Sequence, residues 1–441
     1  MYKFGKFLQI LSLLAAFFGL AFSVSCQSEP ASAPAATQMA RELSPEPPAL
    51  TTGPDRFLQD HLAAMQGKRI GVVANHTARL IDGTHLVDSL IGAGLQVMRV
   101  FAPEHGFRGS ADAGQKIEDG VDPKTGLPIV SLHGKRRKPT PEFLQDLDVV
   151  LFDIQDVGSR HYTYVSTMSL VMEACAEQGV PFWVLDRPNP NGWYVDGPMM
   201  EAGYTSFIGK HQVPIVHGMT IGEYAQMVNQ EGWLTNEVQV ELTVVSCEGY
   251  THEMRWEDTD LPWIAPSPNI PTEHAAYLYP GLCWFEPTPM SIGRGTDSAF
   301  TILGAPWFEP AATARLASET LFFHGLAFKP HPFTPRSLPG KSTYPKFQDT
   351  ECQGGSFVNR VLGKALLLAG LELLQLSHEA HQQSGSTENF FGKNFSTWAG
   401  NERLEQQLRK GDSPEAIYES WQAQTDAFRA MRKQYLLYPE E

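Results

Sequence analysis

The run Arg69-Ile70-Gly71-Val72-Val73-Ala74-Asn75 decides the fold. It is β-branched and apolar without polar alternation, and it closes on a short polar side chain. That pattern predicts a strand buried on both faces. It recurs at residues 95–102, 127–132, 149–154 and 182–185, and 240–246 reads as a further strand. Between 154 and 182, residues 164–178 carry a helical pattern. Buried strands separated by helices predict a parallel sheet covered on both sides, an α/β fold of Rossmann-like layout. The dinucleotide fingerprint is missing, because Gly92-Ala93-Gly94 precedes a strand and so reads as a turn. A nicotinamide or flavin cofactor is excluded on that ground.

In open α/β sheets ligands bind beyond the carboxyl ends of the strands. Here those ends read Asn75-His76-Thr77, Pro103-Glu104-His105-Gly106, Asp153-Ile154-Gln155-Asp156 and Asp186-Arg187-Pro188-Asn189. Each alone fits a cap or turn; together they predict a crevice. Farther on, residues 261–307 are rich in Pro and Trp and read as binding loops. Beyond them the chain predicts a smaller α/β domain, with an amphipathic stretch at 361–376 and a long helix over 413–438 opened by Ser413-Pro414. The expected division is 55–300 for the Rossmann-like catalytic domain and 301–441 for the ancillary α/β domain.

Toward the amino end, Lys3 and Lys6 precede an apolar run over 7–22, shorter than the roughly 20 apolar residues a spanning helix needs. Residues 1–26 read as a secretion signal. Ser23-Val24-Ser25-Cys26 resembles a bacterial lipoprotein box, with Ser23 where Leu is usual. Acylation of Cys26 would anchor the chain to a membrane, and 27–54, rich in Ala, Pro, Ser and Thr, read as a flexible tether. The expected location is exported, periplasmic or membrane-anchored. Cleavage with an incidental Cys26 is the other reading. Cys175, Cys247, Cys283 and Cys352 remain, and the sequence does not pair them.

Lys+Arg number 34 against 49 Asp+Glu in 441 residues, a net charge of −15, which excludes a nucleic-acid binder working through a broad basic surface. The basic run Lys135-Arg136-Arg137-Lys138 reads as a solvated loop rather than an anion site. No nucleophile elbow, P-loop or zinc helix occurs, so no metal site and no cofactor is assigned. A carboxylate-centred site remains. Glu104 follows an apolar strand, where partial burial would suit a general acid. Asp153, Asp156, Asp186 and Glu286 are candidates for the second carboxyl group of a glycoside hydrolase. Tyr162, Tyr164 and Trp263 suit sugar stacking, while core packing is the better reading of Trp284.

These residues carry a family resemblance. The segments 101–109, 153–160, 185–190, His217-Gly218-Met219-Thr220, Pro266-Ser267-Pro268-Asn269 and Gly293-Arg294-Gly295-Thr296, in this order, resemble the bacterial exo-β-N-acetylmuramidases, a family long described as a domain of unknown function. The resemblance runs from about Gly71 to Tyr438. It implies a cleft between a Rossmann-like and an ancillary domain, and release of N-acetylmuramic acid from non-reducing ends of peptidoglycan fragments. It also implies Glu104 as catalytic group with Tyr164 as partner, and Asn75, His105, Arg160, Asn269, Glu286 and Arg294 as substrate-binding residues. A guanidinium suits the lactyl carboxylate of that sugar, with Arg160 and Arg294 as candidates. One departure stands out: Ile292 occupies the place where the family pattern expects an acid. It favours the alternative of a non-catalytic exported binding protein for muropeptides. An esterase or amidase lacks its nucleophile motif.

Overall fold

A computed structural model describes residues 49–109, 118–308, 321–360 and 362–440. Cys26, the signal over 1–26 and most of the expected tether lie outside the described residues. Seven strands form the larger sheet: β1 (Arg69–Ala74), β2 (Gln96–Ala102), β3 (Gly120–Val121), β4 (Pro128–Ser131), β5 (Val149–Asp153), β6 (Phe182–Leu185) and β7 (Leu242–Val245). Their order is β3-β4-β2-β1-β5-β6-β7, parallel except for the antiparallel β3–β4 edge pair. The chain runs outward from β1 on one side and then resumes beside β1 on the other. The switch point therefore falls between the ends of β1 and β5.

The strand pleat sends alternate residues to opposite faces. Ile70, Val72, Val149 and Leu151 pack under the helices α1 (Gly53–Asp60) and α2 (Leu86–Gly92). Val73, Phe101, Val150 and Phe152 pack under α3 (Tyr164–Gln178) and α4 (Ile221–Gln230). Each such fully buried large side chain contributes on the order of 1.5–3 kcal/mol. Helix α3 stops at Gly179, whose φ of 66° is left-handed.

The loop-rich reading of 261–307 is corrected. Glu273–Leu282 is a helix, α5, capped by the Thr272 hydroxyl, with Pro280 inside it. A proline there removes the bond to the carbonyl four residues back. That carbonyl, on Ala276, accepts instead from Asn191 Nδ2 at 3.0 Å.

The smaller sheet is antiparallel: β8 (Ile302–Ala305), β9 (Leu321–Phe323), β10 (Leu326–Pro330) and β11 (Gln353–Phe357), in the order β8-β11-β10-β9. Helix α6 (Lys364–Gln383) covers it and crosses α5 where Gly370 meets Gly281. A Cβ on Gly370 would lie 2.5 Å from the Gly281 carbonyl oxygen, so the crossing needs glycine. The main hydrophobic cluster is continuous from the large sheet through α5 and α6 into the small one. Then follow α7 (Phe395–Ala399), α8 (Arg403–Lys410), α9 (Pro414–Glu419) and α10 (Gln422–Arg432).

The single long helix expected over 413–438 is likewise broken. Ser413 caps α9 as expected, but the chain bends at Ser420-Trp421 before α10. Buried Asp196 explains the bend, since it accepts from Tyr418 Oη at 2.7 Å and from Trp421 Nε1 at 3.2 Å. In the basic run, Arg136 pairs with Asp119 and Lys138 with Glu173 and Glu177. Cys175, Cys247, Cys283 and Cys352 are buried free thiols.

Candidate active site

Beyond the carboxyl ends of β1, β2 and β5 lies a cavity of about 870 Å³, inside the roughly 300–1,000 Å³ range of ligand pockets. Glu104 reaches it from a turn closed by Gly106 N donating to the Pro103 carbonyl at 3.0 Å. His105 at the third turn position has a φ of 70°. That conformation is costly for a side chain with a Cβ, and such strain concentrates at functional sites.

Thr163 precedes α3, where a threonine ordinarily caps the helix by accepting from its first turn. Here it makes no cap bond; its hydroxyl donates to Glu104 Oε2 at 3.0 Å. Thr163→Val loses no helix cap, so its cost in stability should be limited to the single bond to Glu104. With Glu104 protonated for proton donation the bond is a neutral one that aims the carboxyl group, worth about 0.5–1.5 kcal/mol, so turnover should fall roughly 2- to 10-fold. Melting curves and steady-state rates measured together check this; unchanged turnover contradicts it.

Asn75 ends β1 fully buried. Its Nδ2 donates to Tyr164 Oη at 2.9 Å, and Tyr164 Oη donates to the Pro266 carbonyl at 2.7 Å. Asn75 Oδ1 accepts from the Thr77 amide and hydroxyl, and the Thr77 hydroxyl in turn accepts from Gln155 N at 3.0 Å. The ends of β1 and β5 are thus tied across the switch point. His85 Nε2 donates to the Asn75 carbonyl at 2.9 Å, while its Nδ1 accepts from Val87 N. Burial pushes the His85 imidazole down to about 4, so it stays neutral. Tyr164 is raised well above the ordinary phenol value, chiefly by burial and then by the charge of Glu104. It is a protonated wall residue whose hydrogen points at a carbonyl.

Among the described residues the cavity wall carries two carboxyl groups, Glu104 and Glu286. Glu286 is paired with Arg294, whose Nε donates to Oε1 at 3.0 Å. His105, Tyr162, Asn269 and Arg294 also line the cavity, and Asn269 is fixed by donating to the Lys341 carbonyl at 2.8 Å. Asn75 stands behind the wall. Asp153, Asp156 and Asp186 are not in it. Asp153 forms a buried bidentate pair with Arg187. Asp186 accepts from Thr220, the Gly222 amide and Tyr438.

Asp156 Oδ1 accepts from Gly158 N at 2.7 Å, while buried Oδ2 has no hydrogen-bond partner among the described residues. Burial pushes its carboxyl up to about 7. The folded state therefore holds this proton more tightly than the unfolded chain, whose value is about 3.9. The stabilisation is complete below that value and is lost as pH rises through about 7. Asp156→Asn should flatten the fall in melting temperature between acid and neutral pH; parallel curves for the two proteins contradict this.

Arg160 is corrected most sharply. It is 1% exposed and outside the cavity wall. Its Nη1 donates to the Pro198 and Val213 carbonyls, and its Nη2 to those of Trp398 and Ala399. Burial lowers its pKa to about 10, so the guanidinium remains charged at neutral pH. Trp263 is half-buried against Trp256 and Trp284 is core, neither in the cavity wall. Ile292 is packed in the main core, not on the cavity. The residues missed from sequence are Thr163, His161 and Trp398. Of these only Thr163 carried a signal, its place just before a helical pattern.

The fold and site define an α/β protein with a sugar-sized cavity at its switch point, its wall carrying Glu286 beside Arg294 and Glu104 beside Thr163. Family models described as the N-terminal and C-terminal parts of exo-beta-N-acetylmuramidase NamZ match residues 70–274 and 277–438. The peptidoglycan beta-N-acetylmuramidase NamZ of Bacillus subtilis (strain 168) is 37% identical over 394 residues, 89% of this chain and 92% of that protein. Two crystal structures of DUF1343 family proteins from Bacteroides fragilis superpose with TM-scores of 0.75 and 0.77, at 36% and 31% identity. They cover 89% and 88% of this chain, and 99% of each of those chains is matched. The chain belongs to the exo-β-N-acetylmuramidase family, a family of glycoside hydrolases.

Proposed function

We propose that the protein removes N-acetylmuramic acid from the non-reducing ends of peptidoglycan fragments, with Glu104 as the general acid that protonates the bridging oxygen. The observation that carries this reading is Glu104 in the cavity wall, its carboxylate held by Thr163 at the switch point. Protonation of a leaving oxygen requires a carboxyl group aimed into a sugar-sized space. Glu286 is engaged by Arg294, which suits it to shape the wall. Arg294 uses Nε and Nη2 on Glu286. Nη1 is the guanidinium donor we assign to the lactyl carboxylate, a role Arg160 cannot take from behind the wall. Tyr164, with its hydrogen directed at Pro266, serves as a rigid partner beside Glu104 rather than as a nucleophile.

The alternative of a binding-only protein rested on Ile292, and the burial of that side chain in the core removes its support. The export signal and the cysteine at 26 support secretion with a lipid anchor, and such an anchor would hold the domain at the cell envelope, where its substrate lies. The test is release of free sugar from a chromogenic N-acetylmuramic acid glycoside beside the matching N-acetylglucosamine glycoside. Turnover of the first alone supports the reading; turnover of neither, or of both equally, overturns it.

A further inference from the structure

A second hollow of about 510 Å³ adjoins the first, and Glu286 and Trp398 belong to the walls of both. Its remaining surface mixes polar and charged side chains, among them Asn389, Asn394, Lys346 and Glu388, with the apolar Pro287 and Phe347. Its volume again falls in the roughly 300–1,000 Å³ range of ligand pockets. An exo-acting hydrolase holds one terminal sugar and must leave a path for the rest of the chain. The second hollow meets the first at Glu286 and Trp398, where such a path would run.

Trp398 is held with unusual care for a half-buried residue at the end of a five-residue helix. The His161 imidazole stacks on its indole at 5.3 Å between centroids and 19° between planes. Its carbonyl accepts from His161 Nε2 at 2.7 Å and from Arg160 Nη2 at 3.2 Å. With Nε2 donating, His161 Nδ1 is the acceptor, 3.1 Å from the Cys283 thiol. Burial pushes His161 down to about 3, so this arrangement of hydrogens persists at neutral pH. Gly400, with a φ of 88°, ends the helix, and a Cβ there would lie 2.7 Å from Arg160 Nη2. One ring face of Trp398 is therefore covered by His161. Trp398 still lines both hollows, and the indole surface that His161 does not cover is a rigid aromatic plate. An indole fixed in this way presents apolar surface at little further entropic cost, which suits the C–H face of a pyranose.

We propose that Trp398 is the stacking platform of an aglycone subsite in the second hollow, and that its occupant is the N-acetylhexosamine ring linked to the departing side of the scissile bond. This rests on the hydrolase reading above. The test uses the disaccharide N-acetylmuramyl-N-acetylglucosamine as substrate and free N-acetylmuramic acid as product inhibitor, the latter reporting on the glycone side alone. Trp398→Ala should lower kcat/KM for the disaccharide at least tenfold, chiefly through KM, and should shift inhibition by N-acetylmuramic acid far less. Trp398→Phe, which keeps a ring against His161, should recover part of the loss and so separates stacking from folding. Equal changes in both readouts, or a change in neither, overturn the subsite while leaving the hydrolase reading in place. Absence of disaccharide turnover by the unsubstituted protein overturns both.

Discussion

Glu104→Gln should abolish hydrolysis while leaving the fold intact. General acid catalysis supplies about 10²- to 10⁴-fold, and the amide cannot deliver a proton to the bridging oxygen, so kcat should drop by at least about 100-fold. The replacement is close to isosteric, and the carbonyl oxygen of the new amide still accepts from Thr163, so this contact of the turn at 103–106 is kept. Melting temperature and the KM-governed part of binding should therefore be preserved. A fall confined to a few-fold would remove this residue from proton transfer.

Arg160→Met should be the most damaging substitution away from the cavity. Methionine fills much of the volume but leaves the carbonyls of Pro198 and Ala399 without their donor in a site closed to water, and takes one of two donors from those of Val213 and Trp398, which keep Met200 N and His161 Nε2. Each buried group left unsatisfied costs about 1–3 kcal/mol, so two of them put the expected loss at about 2–6 kcal/mol, the range of a broken buried network. Denaturant unfolding measures it directly; a loss under about 1 kcal/mol would show that these carbonyls find other partners. The loops carrying Pro198, Val213 and Trp398 meet at this one guanidinium. The variant should therefore also loosen Trp398 and raise KM for any substrate that reaches the second hollow.

The same residue shows where reading from sequence ends. Each parallel strand is legible, because a continuous apolar run longer than a turn and shorter than a helix has few other uses. The helix at Tyr164–Gln178 is legible from its periodicity, and Glu104 from its place after an apolar strand. Arg160, set among Gly158, Ser159 and Tyr162 at a strand end, looks like a ligand-binding cation. Its partners lie 38 to 239 residues away and are backbone oxygens, which carry no signature in side-chain identity. Trp398 escapes notice for the same reason, since its importance is written in His161 and Arg160 rather than in its neighbours. The break at Trp421 follows from Asp196, again remote in the chain. Long-range hydrogen bonds to the backbone decide these places, and no local pattern records them.

The central claim is that Glu104 faces the bond to be cut. The most direct measurement is a crystal structure of the Glu104→Gln protein with N-acetylmuramyl-N-acetylglucosamine bound. The account predicts the substituted side chain at position 104 within about 2.6–3.2 Å of the bridging oxygen, with the muramic acid ring in the larger cavity beside Tyr164. A disaccharide seated with that oxygen remote from position 104, and another carboxyl group against it, would contradict the account.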